Sequence, residues 1–191
     1  MRKAMAAALT GFALVGLAGT ASAQVAQQDF SWPPKDITPI HKTKAELRQQ
    51  ADEFTAHQRQ SYPAIFPDAR FVTPNLWGGL RDDVFDDDMQ YMANLVKFRN
   101  PSEWTNVITQ VHAPGFFTES PEQLCERQKC TSTVSDSKGG VTVFSGPDEY
   151  REVVVTNYRP NGEVVFVQGS TEQEPAQLAA VAEDRAYTFT R

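Results

Sequence analysis

Two glycine-terminated turns set between runs of β-branched residues constrain this chain more than any other feature. The stretches "TSTVSDSKGGVTVFS" and "EYREVVVTNYRPNGEVVFVQG" occupy its second half. Asp136-Ser137-Lys138-Gly139 and Arg159-Pro160-Asn161-Gly162 each suit a type I turn followed by a left-handed glycine, the bulged hairpin connection. Ser145-Gly146-Pro147-Asp148 joins the two hairpins, so the pattern predicts a four-stranded antiparallel meander. "VVV" and "VVFV" place apolar side chains on both parities, which predicts strands covered on both faces.

The first residues address the chain. "MRKAMAAALTGFALVGLAGTASAQ" has a short basic start at Arg2 and Lys3, an apolar run, and the small-x-small site Ala21-Ser22-Ala23. This is the pattern of a secretory signal peptide over 1–23, and it predicts a mature chain from Gln24 in an extracellular or cell-envelope compartment. Gly11, Gly16 and Gly19 dilute the run, so it does not read as a retained membrane anchor. Removing Arg2 and Lys3 lowers 18 basic residues to 16 against 24 acidic ones, and the net charge goes from −6 to −8. Such a chain is repelled by nucleic acid and by anionic membrane, and neither is expected as a partner.

In an oxidising compartment the chain's only two cysteines, Cys125 and Cys130, predict one disulfide. A zinc site would need further ligands nearby, and C-x-x-C redox chemistry needs a shorter spacing. Residues five apart in an unbroken helix lie about 8 Å apart at Cα. A disulfide reaches about 7 Å at most, so a helix carrying Cys125 must end before Cys130. Ser120, Pro121 and Gln123 supply a capping box with proline at the first helical position, which starts that helix.

The prolines of "QVAQQDFSWPPKDITPIHK" predict an extended arm over 24–42, with Phe30 and Trp32 free to dock on a partner or fold back onto the domain. A single domain is expected over 43–191. "TKAELRQQADEFTAHQRQ" reads as a helix, with Thr43 and Glu46 as capping box and Leu47, Ala51 and Phe54 as apolar stripe. "SYPAIFPDARFVTPNLWGG" reads as loop or short extended pieces. In "LRDDVFDDDMQYMANLVKFRN", Phe85, Met89, Met92 and Val96 follow helical spacing, with acidic residues first and basic residues last. "SEWTNVITQV" restarts after Asn100-Pro101, with Ser102 as cap and Trp104, Val107, Ile108 and Val111 at i, i+3, i+4, i+7; it too is predicted helical. Glu174-Pro175 opens a last helix, "PAQLAAVAED", and "AYTFT" closes the chain as a strand.

From Cys125 to Arg191 the chain resembles the C-terminal part of secreted or membrane-tethered actinobacterial proteins of unknown function. In these a cysteine segment leads to a hairpin with an Arg-Pro-Asp-Gly-type turn and a closing Leu-x-x-Leu-Ala-type helix. Here the turn is Arg159-Pro160-Asn161-Gly162, and the helix carries Leu178, Val181 and Ala182. The resemblance implies export and an α+β domain, and it brings no site residues.

Few residues qualify for chemistry. Asp82, Asp83, Asp86, Asp87 and Asp88 are rich enough in oxygen for Ca²⁺, yet they lack the spacing of a calcium loop and suit a solvated helix face better. His112 or His57 could act as general base if the fold brought a carboxylate to it; His41 lies in the arm. Ser145 and Ser170 lack the nucleophile elbow, and "WGGLRDD" lacks the lysine of a phosphate loop. No cofactor, metal or catalytic residue is therefore assigned. The sequence predicts an α+β fold, N-terminal helices packed on the four-stranded meander with a C-terminal helix and a last strand. It predicts an exported non-enzymatic binding or cell-surface protein of unknown ligand. A hydrolase using a His–carboxylate pair, and a calcium-dependent adhesive or scaffold module, are the rival expectations.

Overall fold

The computed structural model describes residues 30–79 and 81–191. The expected leader and the first six residues of the expected arm lie outside them. Among the described residues the elements run α1 (Lys44–Ile65), β1 (Arg70–Pro74), β2 (Tyr91–Arg99), β3 (Trp104–His112), α2 (Pro121–Arg127), β4 (Cys130–Ser135), β5 (Val141–Ser145), β6 (Glu152–Tyr158), β7 (Val164–Ser170) and α3 (Pro175–Ala182). The strands form one antiparallel sheet in the order β1-β2-β3-β7-β6-β5-β4. Two meanders, one from each half of the chain, therefore join where β3 pairs with β7. None of the described helices is long and apolar enough to cross a membrane.

The second meander is the one the turn chemistry predicts. Gly139 and Gly162 close their turns at φ 81° and 86°, a region open to glycine at no steric cost. The first meander corrects the sequence reading, because residues 91–99 and 104–112 are strands and not helices. Met92, Asn94, Val96 and Phe98 are buried in strict alternation, as are Val107, Thr109 and Val111. Leu95 and Ile108 on the other face are half-buried and apolar as well. Apolar residues on both parities of a strand reproduce i, i+3, i+4, i+7 by coincidence, and the β-branched content decides the outcome. The supposed helix stop and cap is a hairpin turn. The Asn100 side-chain carbonyl accepts from the backbone N–H of Ser102 (3.1 Å) and Glu103 (2.7 Å), an Asx turn.

Helix α1 starts at the expected capping box, where Glu46 accepts from the Thr43 N–H at 2.7 Å. It runs beyond the expected stop and through Pro63, its last turn held by buried Tyr62 and Phe66. Together α1 and α3 cover the inner face of the sheet. Leu47, Phe54, Tyr62, Trp77, Met92, Val111, Val155, Val167, Leu178 and Tyr187 form the main core there. The opposite parity of β5–β7 supplies a second core, in which Val141, Val143, Tyr158 and Val164 meet Leu124 of α2 and Phe30 and Trp32 of the arm. The arm's aromatics thus fold back: Trp32 sets its edge on Tyr158 at 4.9 Å between centroids.

The expected last strand does not form, and "AYTFT" is irregular. Its backbone is held by a buried ion pair. Arg159 and Glu163 flank the second hairpin turn and meet at 3.1 Å, each side chain about 1% exposed. The Arg159 guanidinium also donates to the carbonyls of Ala182 (3.2 Å), Asp184 (2.8 Å) and Tyr187. One Glu163 oxygen accepts from the Thr188 hydroxyl (2.6 Å) and from the N–H groups of Phe189 (2.7 Å) and Thr190 (3.2 Å). A strand would need a partner ladder for these backbone groups; here two charged side chains take that place.

Candidate functional site

Helices α1 and α3 leave the outer face of the central strands open, and the pairing register lists what it presents. Leu95 pairs with Ile108, Ile108 with Gln168, Gln168 with Val154, and Val154 with Ser145. The next row on the same face runs Ala93, Gln110, Phe166, Thr156, Val143. These rows are apolar with amides interspersed, and most of their members are half-buried. Strands buried on both faces read as continuous apolar runs; here the cover of the outer face stops halfway, with α2 and the arm over the Tyr158 row and Val143 of the next.

Where that cover stops, a groove of about 490 Å³ opens. Val154, Phe166 and Gln168 form its floor with Ser145, the exit of α2 (Arg127, Gln128, Lys129) makes one wall, and the β5–β6 loop (Gly146 to Glu149) makes the other. The walls have local causes. Cys125 and Cys130 are bonded at a Cα separation of 5.0 Å, and α2 ends at Arg127 with Gln128 extended, as the five-residue spacing requires. The disulfide therefore fixes the corner that forms the first wall. In the second, Gly146 turns at φ 92°, and the Asp148 carboxylate accepts from the N–H groups of Tyr150 (2.9 Å) and Glu152 (2.8 Å). Arg127 is committed to Glu119 through two hydrogen bonds, of 2.9 and 2.6 Å. These hold the Glu119 carboxyl below its usual range, leaving Lys129 opposite Glu149 and Glu152 at the rim.

The residues singled out from the sequence fall elsewhere. His57 Nε2 meets Asp184 at 2.6 Å, with its ring edge-on to Tyr187. This is the only candidate histidine that the described structure brings to a carboxylate inside the domain. Neither residue lines the groove. The pair ties the outer side of α1 to the turn after α3, and the other Asp184 oxygen accepts from the Ala186 N–H at 2.9 Å. His112 is buried among Tyr91, Phe116 and Phe117, with no partner for Nδ1. Burial pushes its pKa down to about 4, which keeps it neutral at pH 7. His41 lies on the surface, 3.2 Å from Asp88.

The five aspartates are not on a helix; they sit in the turns before β2. Four of them have different partners: Asp82 accepts from Asn75, Asp83 faces Arg48, Asp87 accepts from the Lys44 N–H, and Asp88 faces His41. Among the described residues no group of acidic, histidine or cysteine side chains is placed to hold a metal ion. The groove itself was not legible in the sequence, since its lining comes from α2, two loops and three strands. The one local signal was the polar Gln168 at the end of "VVFVQ", on the parity of Phe166. Comparison with known proteins finds no matching family model, no matching curated protein and no matching solved structure.

Proposed function

We propose that the protein is an exported, non-enzymatic binding protein that takes a small amphipathic ligand in the groove over β6 and β7. The observation that carries this reading is the groove's composition and size. Ligand sites are concave, of roughly 300–1,000 Å³, with an apolar floor and a few polar groups that orient the ligand. Val154 and Phe166 supply the floor, Gln168 and Ser145 the orienting groups, and Lys129, Glu149 and Glu152 a rim of mixed sign. The cleavable leader read in the sequence and the bonded cysteine pair support export. A screen of amphipathic small molecules by thermal shift tests the reading. A hit raises the melting temperature of the wild type, and Phe166→Lys abolishes the rise while remaining folded. Hits that stabilise Phe166→Lys equally would place binding elsewhere.

One observation favours the hydrolase as a second reading, the 2.6 Å contact between His57 and Asp184. Its distance from the groove and its tie to the C-terminal segment argue for a structural pair. Turnover of any ester or amide substrate that disappears in His57→Gln, with folding intact, would reverse that order.

A further inference from the structure

We propose that the β1–β2–β3 end of the sheet's open face is a binding site for an oligosaccharide bearing carboxylates, a uronate-type glycan. The inference stands apart from the groove, since none of the residues that carry it lines that groove.

Trp104 and Phe71 are 61% and 68% exposed, and their rings meet at 6.3 Å between centroids, tilted by 33°. Side by side they form an aromatic platform on the surface. Phe71 reaches it from a bulge in β1 at φ 57°, a left-handed conformation that costs a bulky residue energy and is retained mainly where surrounding structure or function demands it. Beside the platform stand three cations, Arg70, Lys97 and Arg99, all exposed. None of them makes an ion pair among the described residues. Arg70 and Arg99 are direct partners across the β1–β2 ladder, an arrangement of like charges that destabilises a sheet until an anion neutralises it. Arg99 in turn pairs with Trp104, and Lys97 with Asn106. One face thus reads aromatic, cationic and amide within two rows.

That combination selects the ligand. An aromatic face packs against the C–H face of a pyranose ring, its negative quadrupole meeting polarised hydrogens. An amide both donates and accepts, which matches a hydroxyl. A guanidinium grips a carboxylate through two parallel N–H bonds. A single-stranded nucleic acid would also stack, yet its binders stack successive bases on a series of aromatic side chains along a basic groove, whereas one aromatic pair stands here on a chain that is acidic overall.

The test is titration of the full mature protein with oligogalacturonate at low salt, followed by tryptophan emission and calorimetry. Methyl-esterified oligogalacturonate, oligo(dT) and phosphatidylglycerol vesicles are titrated in parallel. Of the three tryptophans Trp104 is exposed, Trp32 half-buried and Trp77 only 2% exposed, so quenching or a blue shift on binding that is lost in Trp104→Ala reports the platform. The expected result is binding of the acidic oligosaccharide that weakens with salt. Trp104→Ala and Arg99→Gln each weaken it about tenfold or more, the scale of losing a stacking platform or a bidentate charge contact. Methyl esterification has a similar effect. All the substituted side chains are exposed, and unchanged melting confirms that the variants fold. Absence of binding at low salt overturns the proposal, as does equal affinity of Trp104→Ala. Tighter, Trp104-dependent binding of oligo(dT) or vesicles overturns the glycan assignment. The groove takes no part in this experiment, so its outcome leaves the reading of the groove where it stands.

Discussion

Replacing Arg159 by methionine should be the most damaging single substitution on the second hairpin. The guanidinium is about 1% exposed and serves Glu163 together with three backbone carbonyls. Methionine fills much of the same volume and supplies none of these donors. Breaking a buried ion pair by removing one partner costs about 3–5 kcal/mol, because the surviving charge is left uncompensated. The stranded carbonyls of Ala182, Asp184 and Tyr187 add to that. Measured against a total stability of about 5–15 kcal/mol, the loss brings the protein close to unfolding. In urea, with a slope of about 2 kcal/mol per molar, the midpoint falls by about 1.5–2.5 M. Glu163→Gln on the methionine background removes the stranded charge while keeping an acceptor for Thr188, Phe189 and Thr190. The double variant is therefore less unstable than the sum of the singles, with a coupling of about 1–3 kcal/mol. A midpoint shift under about 0.5 M for Arg159→Met, or strictly additive singles, would refute the account of the ion pair as the clasp of the C-terminal segment.

Two further outcomes follow from buried groups. His112 has its pKa lowered from 6.5 to about 4 by burial, so below pH 6.5 the unfolded chain binds a proton that the folded one refuses. Stability is fully present above that pH and is lost progressively as pH falls toward 4, by up to about 3 kcal/mol; urea melts at pH 7 and pH 4.5 should show a smaller loss for His112→Phe than for the wild type. The bridge between Cys125 and Cys130 closes a loop so short that chain entropy assigns it about 2 kcal/mol at most. Reduction should lower the urea midpoint only modestly, and thiol reagents should label the native protein only after reduction; ready labelling without reductant would remove the bridge from the argument.

Legibility followed the range of the interactions. Gly139 and Gly162 close turns whose chemistry is written in four consecutive residues, and the capping boxes at Thr43 and Ser120 are equally local. The corner at Cys125 and Cys130 followed from helix rise alone. Residues 91–112 misled for a physical reason. Leu95 beside Val96, and Val107 beside Ile108, are apolar neighbours on opposite faces of strands half-covered outside and fully covered within. A helix and such a strand differ there only in β-branching. The alternation of Met92, Asn94, Val96 and Phe98 was the better guide, disguised by a polar Asn94 at a core position. Its amide accepts from Gln58, which itself accepts from the Trp77 indole, a chain of partners that no local pattern reveals. The groove and the Phe71–Trp104 platform join segments far apart in sequence, so only the strand order exposes them.

The clasp at Arg159 also dictates when this polypeptide can finish folding. A nascent chain that has not yet produced residues 187–190 carries a cation and a carboxylate in its second hairpin that still lack half their partners. Docking α3 early would strand both in a low-dielectric interior, so the compact state becomes favourable only once the final residues arrive. On the export reading proposed above, that delay keeps the polypeptide open while it is threaded through a narrow translocation channel.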